Sequence, residues 1–374
     1  MQLSVIILNY NVRYFLELCL KSVQKSIENF DAEIIVIDNN SPDDSCEMVK
    51  KMFPDVILIE NKENLGFPKG NNIGVEHAKG KYICILNPDT VVAEDTFVKI
   101  LNTKNWQLNT GILGCKLIDG RGNFLPESKR GIPTPWVAIT KVFNLYRLSN
   151  FFGKYYAQHL SENESGNIEI LVGAFMVMER DLYNKVGGFD EKCFMYSDDI
   201  DLSYMVLKTG KSNFYFHETT VIHYKGESTV RDEKYMQRFQ EAMQFFYKKH
   251  FKKSIAFDYL MKVGAFVFSL IKKNQGASQF RNVDQYIVFS KVTHQLNLTK
   301  KTIILNDFAK FKNDLQFNIE IIFDTNSFTY SEIIAFMCKH KDVNITFKNY
   351  IPNSNYIIGS NNAIDRGEII HVKN

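Results

Sequence analysis

The 374-residue chain predicts an α/β fold whose first part is a doubly wound parallel sheet with flanking helices. Three observations predict it. Apolar runs of strand length alternate with helix-period segments four times within about ninety residues, the pattern of β–α–β units. The strand-like runs end in polar turns carrying Asn9, Asp38 and Asp89, and a parallel sheet brings such exits to one crevice where ligands bind. Finally, Tyr82–Leu86 is a short buried-strand run that stops at Asn87-Pro88-Asp89-Thr90, because Pro88 lacks the N–H a central strand needs. Alone, Asn-Pro-Asp reads as an ordinary turn. At a strand exit, Asp89 would also offer an oxygen ligand to a hard divalent cation holding a diphosphate.

Each element follows from the local pattern. Leu3–Leu8 is an apolar β-run ending in Asn9-Tyr10-Asn11. Arg13–Ile27 places Phe15, Leu18, Cys19, Ser22 and Val23 on one helical face. Glu33–Ile37 is the second strand, with Ser41 placed to cap the next helix and Pro42 at its first position. Val56–Glu60 is the third strand. Asn64-Leu65-Gly66-Phe67 and Gly70-Asn71-Asn72-Ile73-Gly74 then lead into a helix ending near Gly80. No phosphate-binding G-x-x-x-x-G-K-[ST] or dinucleotide G-x-G-x-x-G occurs in this half.

Residues 119–166 combine prolines with Trp136, Phe143, Tyr146, Phe151, Phe152, Tyr155 and Tyr156. They read equally as a lid over an acceptor sugar or as a packed helix pair. Ile168–Met178 reads as a strand in which Gly173 and Ala174 leave room for a close approach. Ser197 is placed to cap a helix opening with Asp198, Asp199 and Asp201. Carboxylates this close also raise one another's pKa values, which suits proton acceptance. Phe214–Phe216 and Thr220–His223 are short β-runs, the second ending at His223.

The remainder divides by composition. Residues 1–229 read as the first domain in two halves, 1–100 and 101–229, to which the family resemblance set out below assigns nucleotide and acceptor binding. Residues 230–273 are amphipathic helices whose Lys248, Lys249, His250, Lys252 and Lys253 precede an apolar stretch. This suits an anionic membrane face, and a basic turn beside a core helix is the plainer alternative. Residues 274–301 read as a linker, and 302–374 as a small α/β domain without a legible chemistry. A net charge of +3 gives no case for nucleic acid. Six scattered cysteines without C-x-x-C fit free thiols in a reducing compartment. The N-terminus lacks a secretory pattern and no stretch approaches a membrane span. The expectation is a cytoplasmic chain working at the inner face of the cell membrane.

These residues together resemble a family-2 glycosyltransferase of the GT-A fold, closest to bacterial rhamnosyltransferase-like members. The likeness runs from Leu3 to Ser228. It rests on Val5–Tyr10, Val36–Ser41, Asn64–Phe67, Asn87–Thr90, Gly173–Phe175, Gly187–Glu191, Asp198–Leu202 and His223-x-x-Gly226-x-Ser228, in that order. It implies a doubly wound mixed sheet and a donor site of Asn9, Tyr10, Asp38, Asn64, Gly66, Asn71, Asn87 and Asp89. It implies Mg²⁺ or Mn²⁺ on Asp89 and His223, with Asn87 in the first position of a reduced D-x-D motif. Asp199 matches the catalytic base, Asp198 stands where glutamate is usual, and Asp201 supports or caps. Gly173, Ala174 and Trp136 fall to the acceptor. The arginine common after the acidic motif is absent at Ser203-Tyr204-Met205, leaving Lys69, Lys129 or Arg130 to contact phosphate or acceptor.

The implied activity is inverting transfer from a nucleotide-diphosphate sugar, dTDP-rhamnose or a UDP-sugar. The acceptor is a hydroxyl of a saccharide or polyprenyl-linked saccharide in cell-surface polysaccharide synthesis. A catalytically weak sugar-nucleotide-binding protein is an alternative, supported by Asn87. A nucleotidyltransferase is another, weakened because Asn9-Tyr10-Asn11-Val12-Arg13 is no Gly-rich phosphate loop.

Overall fold

The computed structural model describes residues 1–134, 137, 155–193, 196–225, 233–251, 282–294, 296–312, 317–361 and 366–372. The first sheet is built from alternating units, as the pattern requires. Strand β1 (Leu3–Asn9) is followed by α1 (Arg13–Ile27), β2 (Ala32–Asp38), α2 (Ser45–Met52), β3 (Ile57–Glu60), α3 (Gly66–His77) and β4 (Tyr82–Leu86). β1 is buried along its whole length and pairs in parallel with β2 and β4. In its register with β2, Asn9 lies opposite Asp38.

Beyond β4 the chain gives β5 (Thr90–Val91), α4 (Thr96–Leu101), β6 (Thr110–Ile118), β7 (Gly166–Ile168), β8 (Phe175–Glu179), α5 (Arg180–Val186), α6 (Asp198–Lys208) and β9 (Ser212–His223). The sheet order is β3-β2-β1-β4-β8-β6-β9-β5, with β7 on β9. β8 runs antiparallel to both β4 and β6, so the sheet is mixed. The two β-runs expected at 214–216 and 220–223 are one strand, β9, whose register against β6 shifts between them.

Three local expectations are corrected. Ser41 does not cap α2, because its hydroxyl and amide are both engaged by the Asp38 carboxylate at 2.6 and 2.8 Å; the helix begins at Ser45 instead. The run 168–178 is not one strand, since Arg130 bridges Ile170 and the chain is irregular through Gly173. Ser197 stands at the N-cap of α6 without a side-chain cap and lies 3.1 Å from the Cys193 sulfur.

Helix α7 (Glu233–His250) packs Met243, Phe246 and Tyr247 with Ile170 and Ile200 of the first domain. The second sheet contains β10 (Gln285–Phe289), β11 (Lys301–Leu305), β12 (Ile319–Asp324), β13 (Ile345–Ile351), β14 (Tyr356–Gly359) and β15 (Glu368–His371), in the order β11-β10-β12-β13-β14-β15. Helix α8 (Tyr330–Lys339) covers one face, with Ile333, Phe336 and Met337 in the same core cluster as the sheet's Ile321, Phe323 and Phe347. Gln285–Phe289, expected inside the 274–301 linker, is therefore an inner strand. Its polar start and the polar residues around it hide four buried positions, Tyr286–Phe289. The apolar stretch after Lys253, on which the membrane reading rested, lies outside the described residues. Among the described residues no helix is long and apolar enough to cross a membrane.

Candidate active site

Two half-sites meet across the Gly173-Ala174 dipeptide. The first is made by the β4–β5 turn. Pro88 ends β4, and Thr90 then pairs with His223 of β9. This antiparallel pairing brings together residues more than a hundred positions apart. The Tyr224 amide donates to the Asp89 carbonyl at 3.0 Å. His223 Nε2 comes to 3.4 Å from Asp89 Oδ1 and 3.3 Å from Asn87 Nδ2. Asp89 and His223 are both buried, at 3% and 6% exposure.

Neither Asp89 Oδ1 nor His223 Nδ1 has a hydrogen-bond partner among the described residues. A buried carboxylate oxygen without a donor is costly unless something positive meets it. The 3.4 Å gap between that oxygen and Nε2 suits two ligands bound at about 2.1 Å to one ion. The residues therefore fit a divalent cation, but only part of its shell. Among the described residues no group of three His, Cys, Asp or Glu side chains could hold a metal by itself. Such a site leaves positions for water and for substrate phosphate, the usual way Mg²⁺ is bound.

The second half-site is the N-terminus of α6. Asp199 Oδ2 accepts from Arg130 Nη2 at 2.5 Å and from the Gly173 amide at 3.1 Å. Arg130 also donates to the Leu171 carbonyl at 3.0 Å. Burial disfavours the Arg130 charge, but the Asp199 carboxylate overrides it and holds the guanidinium above its ordinary range. Asp198 behaves differently. Burial first, and then the neighbouring Asp199 charge, push its carboxyl up to about 7. The pair is thus split into one carboxylate fixed by a cation and one that holds its proton to near neutrality.

The dipeptide joins the two. Gly173 donates its amide to Asp199, while the Ala174 carbonyl accepts from the Asn87 amide at 3.0 Å. A Cβ on Gly173 would stand 3.4 Å from the Asp199 side chain and 3.5 Å from the Phe67 ring. A side chain longer than a methyl at this position would reach between the Asp199 side chain and the Phe67 ring.

The residues expected to hold the donor form a hydrogen-bonded rim on β1, β2 and the loop before α3. Asn9 Nδ2 donates to Asp38 Oδ1 at 2.7 Å and Ser41 Oγ at 3.0 Å. With the two Ser41 bonds, this fills three of about four acceptor positions on the Asp38 carboxylate. Asp38 therefore shapes its own loop, with the Cys46 thiol as a further hydrogen-bond neighbour. Asn9 Oδ1 and Asn71 Oδ1 are buried without partners among the described residues. Asn64 accepts from the Gly66 amide and from Asn39, and Gly66 needs its left-handed φ of 80° for that turn. Tyr10 is 37% exposed at the β1 exit. Trp136 lies outside the described residues.

Several roles were invisible in the sequence. Arg130, expected at phosphate or acceptor, is the partner of Asp199. Lys129 Nζ is spent on the carbonyls of Tyr156, Ala157 and Leu160, and Lys69 is exposed. Asp201 is a buried anchor, 2.7 Å from Lys249 and 2.5 Å from His250. Two of the basic residues assigned to a membrane face thus turn inward and fasten α7 to α6. The Gly187-Gly188-Phe189 motif is a turn, with φ of 87° and 65° at its glycines. Asn72 Oδ1 accepts from the Phe189 amide and the Tyr183 hydroxyl to fix it.

The sequence profile of glycosyl transferase family 2 matches residues 4–187, the segment that carries β1 through Gly187 and both Asn87 and Asp89. Residues 4–187 belong to glycosyltransferase family 2. The mixed sheet around them is the GT-A fold of that family. Relatives extend the match. An N-acetylglucosaminyl-diphospho-decaprenol L-rhamnosyltransferase of Mycobacterium tuberculosis is 25% identical over 62% of this chain and 78% of its own. A GalNAc(5)-diNAcBac-PP-undecaprenol beta-1,3-glucosyltransferase of Campylobacter jejuni is 30% identical over 52% of this chain and 63% of its own. A solved mannosyltransferase of Pyrobaculum calidifontis overlaps 74% of this glycosyltransferase and 76% of its own chain, at 17% identity and a TM-score of 0.46. That overlap bears on no individual residue.

Proposed function

We propose that this glycosyltransferase is an inverting, metal-dependent enzyme of cell-surface polysaccharide synthesis. Its donor is dTDP-rhamnose or a UDP-sugar, and its acceptor a hydroxyl of a saccharide or polyprenyl-linked saccharide presented at the inner face of the membrane. The observation that supports it is the joining of Asn87, Asp89 and His223 to Asp199 through one dipeptide. The relatives, a rhamnosyltransferase and a glucosyltransferase that act on polyprenyl-diphosphate-linked sugars, support the donor and acceptor classes.

In this reading Asn9, Tyr10, Asp38, Asn64, Gly66 and Asn71 hold the nucleotide-sugar. Asp89 and His223, with Asn87 beside them, hold Mg²⁺ or Mn²⁺. A bound divalent cation neutralises charge on the departing diphosphate. Gly173, Ala174 and Trp136 border the acceptor. Arg130 and the Gly173 amide occupy Oδ2 of Asp199, so Oδ1 is the oxygen turned to the acceptor. The acceptor oxygen forms its bond to the anomeric carbon as the bond to the diphosphate oxygen breaks. The hydroxyl proton passes to Asp199, and the bonding pair leaves with the nucleoside diphosphate.

The test is nucleoside diphosphate release from a panel of dTDP- and UDP-sugars, with Mg²⁺ or Mn²⁺ and after chelation. Release from one donor, lost on chelation, is expected. The single carboxylate in the reduced motif favours one second reading, a sugar-nucleotide-binding protein that turns over poorly. Donor binding without release under any metal would establish that reading and overturn the first.

A further inference from the structure

The second sheet lies against the back of the metal half-site. Its core is shared with the first domain: Phe15, Val91, Ala93, Ile222 and Tyr224 belong to one buried cluster with Ile321, Phe323, Tyr330 and Phe347. Polar contacts fix that packing. Glu94, three residues beyond β5, accepts from the Tyr330 and Ser331 amides at 2.8 and 2.9 Å, a carboxylate at the N-terminus of α8. Lys25 donates to the Thr325 carbonyl at 3.0 Å. Ser354 donates to Glu17.

One contact reaches the half-site itself. On β13 the residues facing the shared core alternate as Ile345, Phe347, Asn349 and Ile351. The first, second and fourth are apolar members of the cluster, whereas Asn349 is an amide at 2% exposure. A buried amide is unfavourable there without hydrogen bonds. Asn349 Nδ2 donates to the Tyr224 hydroxyl at 2.7 Å. Tyr224 follows His223 directly, is 1% exposed, packs on Phe15 at 5.0 Å between ring centroids and donates its amide to the Asp89 carbonyl. The space is closed on another side: a Cβ on Gly120 would come within 2.3 Å of the Ser360 carbonyl and 3.0 Å of the Tyr224 ring. Tyr224 is therefore held at both ends, by β13 through its hydroxyl and by the Asp89 turn through its amide.

We infer that the C-terminal sheet is a positioning element of the metal half-site, acting through Asn349 on Tyr224 to hold Asp89 and His223 at their spacing. Neither residue touches the reacting atoms. The inference rests on the proposed function and goes beyond it by giving the second sheet a part in the transfer reaction.

The test uses the full-length protein and reads Mn²⁺ binding in the presence of nucleoside diphosphate by electron paramagnetic resonance, without turnover. Asn349→Leu suits the apolar stripe, and Tyr224→Phe removes only the hydroxyl. Each should weaken Mn²⁺ binding about three- to tenfold, the range of one lost hydrogen bond. The double variant should lose no more than either single one, since both break the same bond. Lys25→Met breaks a docking contact elsewhere and should lower the melting temperature with Mn²⁺ affinity unchanged. Wild-type affinity in folded Asn349→Leu and Tyr224→Phe, or an equal loss in Lys25→Met, overturns the inference alone. Failure of the wild-type protein to bind Mn²⁺ with nucleoside diphosphate overturns the underlying function as well.

Discussion

Asp199→Asn should leave nucleotide-sugar binding nearly intact and lower turnover by about 10²- to 10⁴-fold, the usual contribution of a general base. The substitution keeps shape, and an asparagine carbonyl can still accept from Arg130 and the Gly173 amide. Only the capacity to take a proton is removed. Arg130 is then buried beside a neutral group, a situation that is strongly destabilising when nothing replaces the lost charge. Asp198 is placed to replace it. Its carboxyl is held up to about 7 by burial and by the Asp199 charge; without that charge it ionises more readily and can balance the guanidinium. The variant should therefore fold. Calorimetry with donor and steady-state turnover check the two halves of the prediction, and unchanged turnover in the purified variant refutes the assignment.

Asp89→Ala should abolish the metal-dependent part of nucleoside diphosphate binding. Losing a group that merely supports a metal ligand typically costs 10- to 100-fold in affinity, so loss of the carboxylate itself should exceed about 100-fold. His223 and Asn87 remain, but an imidazole and an amide bring no charge to offset the cation. Titration of nucleoside diphosphate with and without Mn²⁺ isolates the effect. Wild-type and variant proteins should differ with metal and coincide after chelation. Equal affinity with metal would show that Asp89 does not hold the ion.

Much of the structure of residues 1–100 was legible because its signals are local. Helix Arg13–Ile27 and strand Tyr82–Leu86 have the boundaries that periodicity assigns, and the Asn-Pro-Asp turn announces a strand exit by itself. The pairings that complete the site are not local. His223 reaches Asp89 only because Thr90–Val91 pairs with the end of β9, and Arg130 meets Asp199 across 69 positions. Periodicity describes the face of an element and not its partner. For that reason Lys249 and His250 read as a membrane-facing cluster while they clasp Asp201. Strand β6 escaped notice because Gly111, Gly114 and Lys116 interrupt its apolar run. Lys116 is in fact buried, 3.2 Å from Glu162. Ser41 misled for a related reason, since a cap and an Asx-type loop draw on the same side chain and only Asp38 decided between them.

The central claim is that one ion sits between Asp89 and His223 and joins the donor diphosphate to the protein. Electron paramagnetic resonance of Mn²⁺ with nucleoside diphosphate, in protein carrying ¹⁵N-histidine, addresses it directly. A nitrogen coupling from a coordinated imidazole, lost in His223→Gln, is the predicted result. A spectrum showing phosphate and water couplings alone, unchanged by that substitution, would contradict it.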